Sequence, residues 1–242
     1  MFKKMTIVLT LVCVLVGGVA AQKQMKAWGE WSQKDAEKML DSSAWAQTQA
    51  STKSSEEVFV GAKKDAFRNP TAAADNPTDP EVRTKYFVRF FSARPIRMAL
   101  ARSIMLSTPN IDAPTLERLK QFAELKAADS IIVTVWFTSN DKSASGKLMQ
   151  AFLSGETSAL QNEVYLERSS DGKRLPLHVY VKPGQDGFGA RFIFLRTLDG
   201  QPFLTPESGE VRFHAELGSD KEYKIDRRFK VADMMYEGAL EY

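Results

Sequence analysis

Two serine–lysine pairs stand in the spacing S-x-x-K: Ser139 with Lys142, and Ser170 with Lys173. On a helix that spacing brings the amine one turn from the serine Oγ, the arrangement penicillin-binding proteins and β-lactamases use for acyl transfer. Ser170-Asp171-Gly172-Lys173 reads as a turn instead. With 19 serines and 19 lysines in the chain, roughly one or two such pairs arise by chance, and no K-T-G or S-D-N follows. G-x-S-x-G is missing as well. His178 and His214, the only histidines, each fall inside a predicted strand. Adjacent strands would let them meet, with Glu216 as a third group. Zinc needs three or four ligands, however, and neither H-x-x-x-H nor H-E-x-x-H occurs. Packing or surface roles are expected for both, with no metal and no cofactor.

Glu207 and Glu210 are close in sequence, and paired carboxylates hydrolyse glycosides when they flank the bond at a set separation. Proximity in TPESGEVR does not supply that geometry, so a solvated loop is expected. Gly184, Gly187 and Gly189 suggest a phosphate cradle, but a phosphate loop leads into a helix N-terminus. This one leads into ARFIFLR, a strand.

The least ordinary feature is charge. Between Val82 and Ile111 stand six basic residues (Arg83, Lys85, Arg89, Arg94, Arg97, Arg102) and no acid. Tyr86, Phe87, Phe90 and Phe91 interleave with them. Such a segment suits an anionic ligand, an acidic envelope polymer or an acidic protein partner. The competing reading is a core strand whose basic side chains lie along its aromatics, balanced by acids from elsewhere. If the first reading holds, Arg94, Arg97 and Arg102 form the binding surface. Arg102 lies about 80° around a helix from Arg94, so all three fit one broad polar face.

The elements that would carry these residues follow from pattern. Ser32 and Asp35 form a capping-box signal for a short helix bearing Ala36, Met39 and Leu40 on one face. Trp28, Trp31 and Trp45 flank it and are expected to dock it onto the body. Residues 48–55 read as a polar connector, 57–60 as a strand, and 63–83, with Pro70, Pro77 and Pro80, as a long loop. A strand is predicted over 84–91. Helices follow over 94–106 and 112–128, each opening on a proline. Residues 131–137 (IIVTVWF) predict a strand covered on both faces, and 147–153 a short helix. From 162 onward strands separated by turn residues predict an antiparallel sandwich or meander, with a hairpin at Asp171-Gly172.

The 242 residues are 43% hydrophobic and 26% charged, an ordinary globular composition. A net charge of +3 is too balanced for a protein devoted to nucleic acid. Met1-Phe2-Lys3-Lys4, the apolar run Met5–Val16 and Val19-Ala20-Ala21 form the three parts of a secretory signal peptide, with cleavage expected after Ala21. Cys13, the only cysteine, would leave with it, so the mature chain would have no disulfide and no thiol chemistry. No stable membrane span is expected after cleavage. The expected organisation is 1–21 signal peptide, 22–62 Trp-rich helical segment and connector, 63–83 Pro-rich loop, and 84–242 main domain.

WSQKDAEKMLDSSAWAQ (31–47) and RFKVADMMYEGALEY (228–242) resemble the ends of a group of exported bacterial proteins without assigned function. The resemblance supports export and a C-terminal strand pair, and implies no substrate, cofactor or site residue. The fold expected is α+β: a β-rich antiparallel sandwich or meander in the C-terminal half, with two or three helices from the N-terminal half. The function expected is a periplasmic or secreted binding or interaction module without catalysis. A metal-independent hydrolase of an envelope polymer is the first alternative, and a periplasmic folding or assembly factor the second.

Overall fold

A computed structural model describes residues 26–53, 82–126 and 129–242. The expected signal peptide, the strand at 57–60 and nearly all of the Pro-rich loop lie outside the described residues.

Local chemistry starts most helices. Ser32 Oγ accepts the Asp35 N–H and the Asp35 carboxylate accepts the Ser32 N–H, opening α1 (Gln33–Asp41) on the expected capping box. Pro95 stands in the first turn of α2 (Arg94–Ser107) and Pro114 in that of α3 (Ala113–Glu124), where a missing N–H costs least. Asp112 and Asp141 cap α3 and α4 (Lys142–Ser154) by accepting the N–H groups of Thr115 and Ala144. A short α5 spans Thr157–Leu160. Trp31 and Trp45 are buried and Trp28 packs against the core, so the tryptophans do anchor α1.

The strands form two antiparallel sheets. The larger has the order β1-β2-β3-β7-β6, from β1 (Ala46–Lys53), β2 (Val82–Phe90), β3 (Ser130–Ser139), β6 (Val179–Val181) and β7 (Ala190–Leu195). The smaller has the order β11-β10-β4-β5, from β4 (Val164–Arg168), β5 (Arg174–Pro176), β10 (Glu210–Leu217) and β11 (Tyr223–Lys230). Two small hairpins complete the fold, β8 (Thr197–Leu198) with β9 (Gln201–Pro202) and β12 (Met235–Tyr236) with β13 (Ala239–Leu240). The protein is α+β with a β-rich C-terminal half.

The sheets face each other. Phe90 meets Phe229 edge-on at 4.9 Å, and Phe192 and Phe194 meet Phe213 at 5.3 and 6.4 Å. These five rings are essentially inaccessible, and burial of each contributes about 1.5–3 kcal/mol. α1 lies against β1 and β2, and packs on α2, which packs on α3. α4 stacks Phe152 on Phe137 of β3 at 5.6 Å, and Tyr180 Oη donates to the Phe152 carbonyl at 2.7 Å.

Three expectations change. Residues 46–53 are a strand, not a connector. β1 is a sheet edge whose inward positions, Gln47 and Gln49, make hydrogen bonds rather than apolar contacts, so its sequence lacks hydrophobic alternation. β3 is fully covered on both faces only in its middle: Val133, Val135 and Phe137 are buried on one side and Thr134 on the other, where Ile132 and Trp136 are half-buried. The predicted strand 177–181 is divided, with β5 pairing to β4 across the Asp171-Gly172 turn and β6 joining the other sheet.

Candidate binding face

Arg94, Arg97 and Arg102 do not form an open polar face. Arg97 is only 5% exposed. Its guanidinium donates to the carbonyls of Phe91 and Ser92 at the end of β2 and of Leu125 after α3. Burial draws its pKa down, and no carboxylate among the described residues bonds it directly. Arg94 donates from Nε to Glu241 at 2.6 Å, reaches Glu237 at 3.3 Å and lies over the Tyr236 ring. Arg102 donates to the Trp31 carbonyl at 2.7 Å. The three hold the C-terminal hairpin, the β2–α2–α3 corner and the N-terminal turn. A helical wheel placed them on one face, but it carries no information about what packs against that face.

The strand half of the basic segment behaves differently, because a strand separates neighbours by side. Tyr86, Val88 and Phe90 are buried between the sheets, while Arg83, Lys85, Phe87 and Arg89 are on the outer face. Phe87 stands directly opposite Trp136 on β3 and opposite Thr48 on β1. Both rings are half-buried. Lys85, opposite Thr138, is exposed. The Arg89 guanidinium lies 5.6 Å from the Phe87 ring centroid, donates to the Leu40 carbonyl at 2.7 Å and meets Asp41 at 3.0 Å. Farther along, the face is closed by Phe188, whose ring meets Phe91 at 5.1 Å and Phe122 of α3 at 6.3 Å. Two half-buried aromatic rings beside basic side chains therefore lie on the outer face of β2 and β3. They offer ring faces and cations. The alternation in TKYFVRFF signals the β2 half of this face; Trp136 has no such signal, because IIVTVWF has apolar residues on both sides of the strand.

The outer face of the small sheet is a charge ladder. Arg174 donates to Glu167 at 2.7 Å, Arg212 reaches Glu167 at 3.7 Å and bonds Asp226, and His214 Nδ1 lies 3.1 Å from Asp226. His214 Nε2 lies 3.4 Å from Glu216, which also meets Lys224. The Tyr165 ring stacks on His214 at 4.8 Å and takes the Arg174 guanidinium at 4.1 Å. The hydrogen bond from Arg212, helped by His214, holds the Asp226 carboxyl down to about 2. With both ring nitrogens facing carboxylates and only 6% exposure, His214 is a packed histidine.

The remaining motifs separate. His178 is exposed in the loop before β6 and is not joined to His214. Among the described residues no group of three or more His, Cys, Asp or Glu is placed to hold a metal ion. Ser139 ends β3 and Lys142 begins α4, so no helical turn joins them, and Ser139 Oγ accepts the Asp141 N–H. Ser170 is in a turn, and Lys173 meets Asp199 at 3.6 Å. Glu207 is exposed and Glu210 opens β10, 4.0 Å from Arg228. Gly187 and Gly189 have positive φ and lead into β7, as a connecting loop should.

No helix among the described residues is long and apolar enough to cross a membrane. No protein-family model, curated protein or solved structure matches the chain.

Proposed function

We propose that this protein is an exported, non-catalytic binding module that takes an acidic polymer of the cell envelope across the outer face of β2 and β3. The observation that carries the reading is the cross-strand pair Phe87–Trp136, half-open beside Lys85 and Arg89. Aromatic rings give contact area to sugar rings or alkyl chains at little entropic cost, and adjacent cations favour an anionic chain over a neutral one. The signal-peptide pattern of residues 1–21 and the resemblance of the chain's ends to exported bacterial proteins support the envelope or secreted setting.

The test is titration with polygalacturonate, a carboxylate glycan, read by tryptophan fluorescence and co-sedimentation, with neutral dextran as control. Binding should weaken as salt shortens the screening length. Phe87→Ala with Trp136→Ala should weaken it about ten-fold or more while the melting temperature identifies variants that still fold. Equal binding by the folded double variant, or equal binding of dextran, would remove this reading. Shortening of the polymer during the titration would put the hydrolase reading in its place.

A further inference from the structure

Four strands end the two sheets, and three of these edges are either bonded by side chains or cut short. β11 turns its Lys224, Asp226 and Arg228 backbone groups outward, and two glutamines of β1 meet them. Gln49 accepts the Asp226 N–H at 2.7 Å and donates to the Lys224 carbonyl at 2.8 Å, while Gln47 donates to the Arg228 carbonyl at 2.6 Å. β6 spans three residues, and its Tyr180 N–H is taken by Thr157 Oγ1 at 3.0 Å. β5 also spans three residues and ends in Pro176, which has no N–H.

β1 spans eight residues and has no such cover among the described residues. Phe90 N–H donates to the Trp45 carbonyl at 2.8 Å, and the antiparallel register then points every second residue at β2. Ala46, Thr48, Ala50 and Thr52 face away from β2. The Ala46 carbonyl accepts the Ser43 N–H at 2.8 Å. The backbone groups of Thr48, Ala50 and Thr52 have no partner among the described residues, and Ala50 and Thr52 are exposed. An edge of this length without proline or bulge is a template for another strand.

A cleft of about 490 Å³ opens at the start of this edge, between β1 and β11, lined by Asp41, Ser43, Thr48 and Arg227 among others. Asp41 is engaged by Arg89. Arg227 donates only to Gln47 Oε1, at 3.2 Å, and no carboxylate among the described residues pairs with it. Lys224 and Arg228, on the opposite face of the strand, meet Glu216 and Glu210. Arg227 is therefore the cation that the cleft presents beside the edge.

We propose that the free edge of β1 docks an extended, acidic segment of a partner protein. The segment adds a sixth strand along Thr48–Thr52 and sets a carboxylate in the cleft against Arg227. Backbone bonds supply affinity and the cleft supplies selection, as in other strand-addition sites. This site adjoins the Phe87–Trp136 face at Thr48 and Asp41 but does not depend on it.

The test uses the ¹⁵N-labelled protein and an end-blocked peptide of alternating glutamate and threonine, with its lysine–threonine counterpart as control. The acidic peptide should slow hydrogen exchange at the Thr48, Ala50 and Thr52 amides. Ala50→Pro removes an N–H the β1–β2 ladder does not use, so it should leave the fold and lower affinity at least ten-fold. Arg227→Gln should lower it about three- to ten-fold. If the proline variant fails to fold, a peptide N-methylated at alternate residues should fail to bind the wild type. The proposal is overturned if the acidic peptide does not bind, if the lysine peptide binds as well, or if folded Ala50→Pro binds unchanged. Protection of the three amides that grows with protein concentration alone would put a second copy on the edge and overturn it too.

Discussion

The indole N–H of Trp45 donates to the carbonyl of Glu241 at 2.7 Å, joining residues 196 apart in the chain. The same Glu241 receives Arg94 through its carboxylate. The C-terminal hairpin is thus held at both its backbone and its charge by elements from the other end of the sequence. Trp45→Phe keeps most of the ring packing and loses the bond, so urea unfolding should show a loss of about 1–2 kcal/mol. Trp45→Ala should cost about 3–5 kcal/mol, because a buried indole leaves a cavity.

Arg97 gives a sharper contrast with its neighbours on the sequence. Arg97→Ala strands the carbonyls of Phe91, Ser92 and Leu125, and should destabilise by about 2–4 kcal/mol. Lys85→Gln, on the exposed outer face, should stay within about 0.5 kcal/mol. Denaturant midpoints of the two variants measured side by side decide the point. A near-neutral Arg97→Ala would mean that the α2 arginines face solvent after all.

Acid stability should depend on Asp226. Its pKa is held to about 2 in the folded protein, first by Arg212 and then by His214, against an ordinary value of 3.8. A depressed folded pKa means the contribution is complete above about pH 4 and fades as pH falls from there toward 2. Discounted for solvent screening at this partly open site, it amounts to about 1–2 kcal/mol. Unfolding free energies at pH 5.5 and pH 2.5 should therefore converge between wild type and Asp226→Asn in acid. A gap that persists unchanged at pH 2.5 would show that the ladder contributes through shape rather than charge.

These residues also mark how far sequence reaches. Capping at Ser32 and Asp35, proline in the first turns of α2 and α3, and the turn at Asp171-Gly172 are local chemistry, and each was legible. The outer face of β2 was written in its alternation of Lys85, Phe87 and Arg89 against Tyr86, Val88 and Phe90. Its partner Trp136 was not, because IIVTVWF has apolar residues on both sides of the strand. β1 was invisible for a different reason. An edge strand that bonds through Gln47 and Gln49 needs no hydrophobic period, and polar side chains that replace a strand look like a loop. The fates of Arg94, Arg97 and Arg102 depend on carbonyls and carboxylates brought in from residues 31, 91, 92, 125, 237 and 241. No local pattern encodes those approaches.

Gly189 ties the fold to the proposed face. Its φ is +81°, a region that side chains rarely adopt, and an added Cβ would lie 2.3 Å from the Val135 carbonyl oxygen. That oxygen belongs to the backbone of β3, one residue before Trp136, and cannot swing aside. Gly187 has a similar φ of +74°, but a Cβ there would meet nothing within 4 Å. The two glycines therefore separate backbone strain from collision. Gly187→Ala should cost about 1 kcal/mol, the strain alone. Gly189→Ala carries that strain together with a clash that must part β7 from β3, so its cost should be about 3 kcal/mol or more. The displacement starts where β3 and β7 begin to pair, at Val135 and Ala190. It should therefore reach Trp136 while leaving the distant Trp31 and Trp45 in place. Gly189→Ala should shift the emission of Trp136, read as the difference from a Trp136→Phe background, and weaken the polygalacturonate response. Gly187→Ala should change neither. Equal stability of the two variants would show that the loop before β7 can retreat from β3, and that Gly189 does not set the position of the aromatic face.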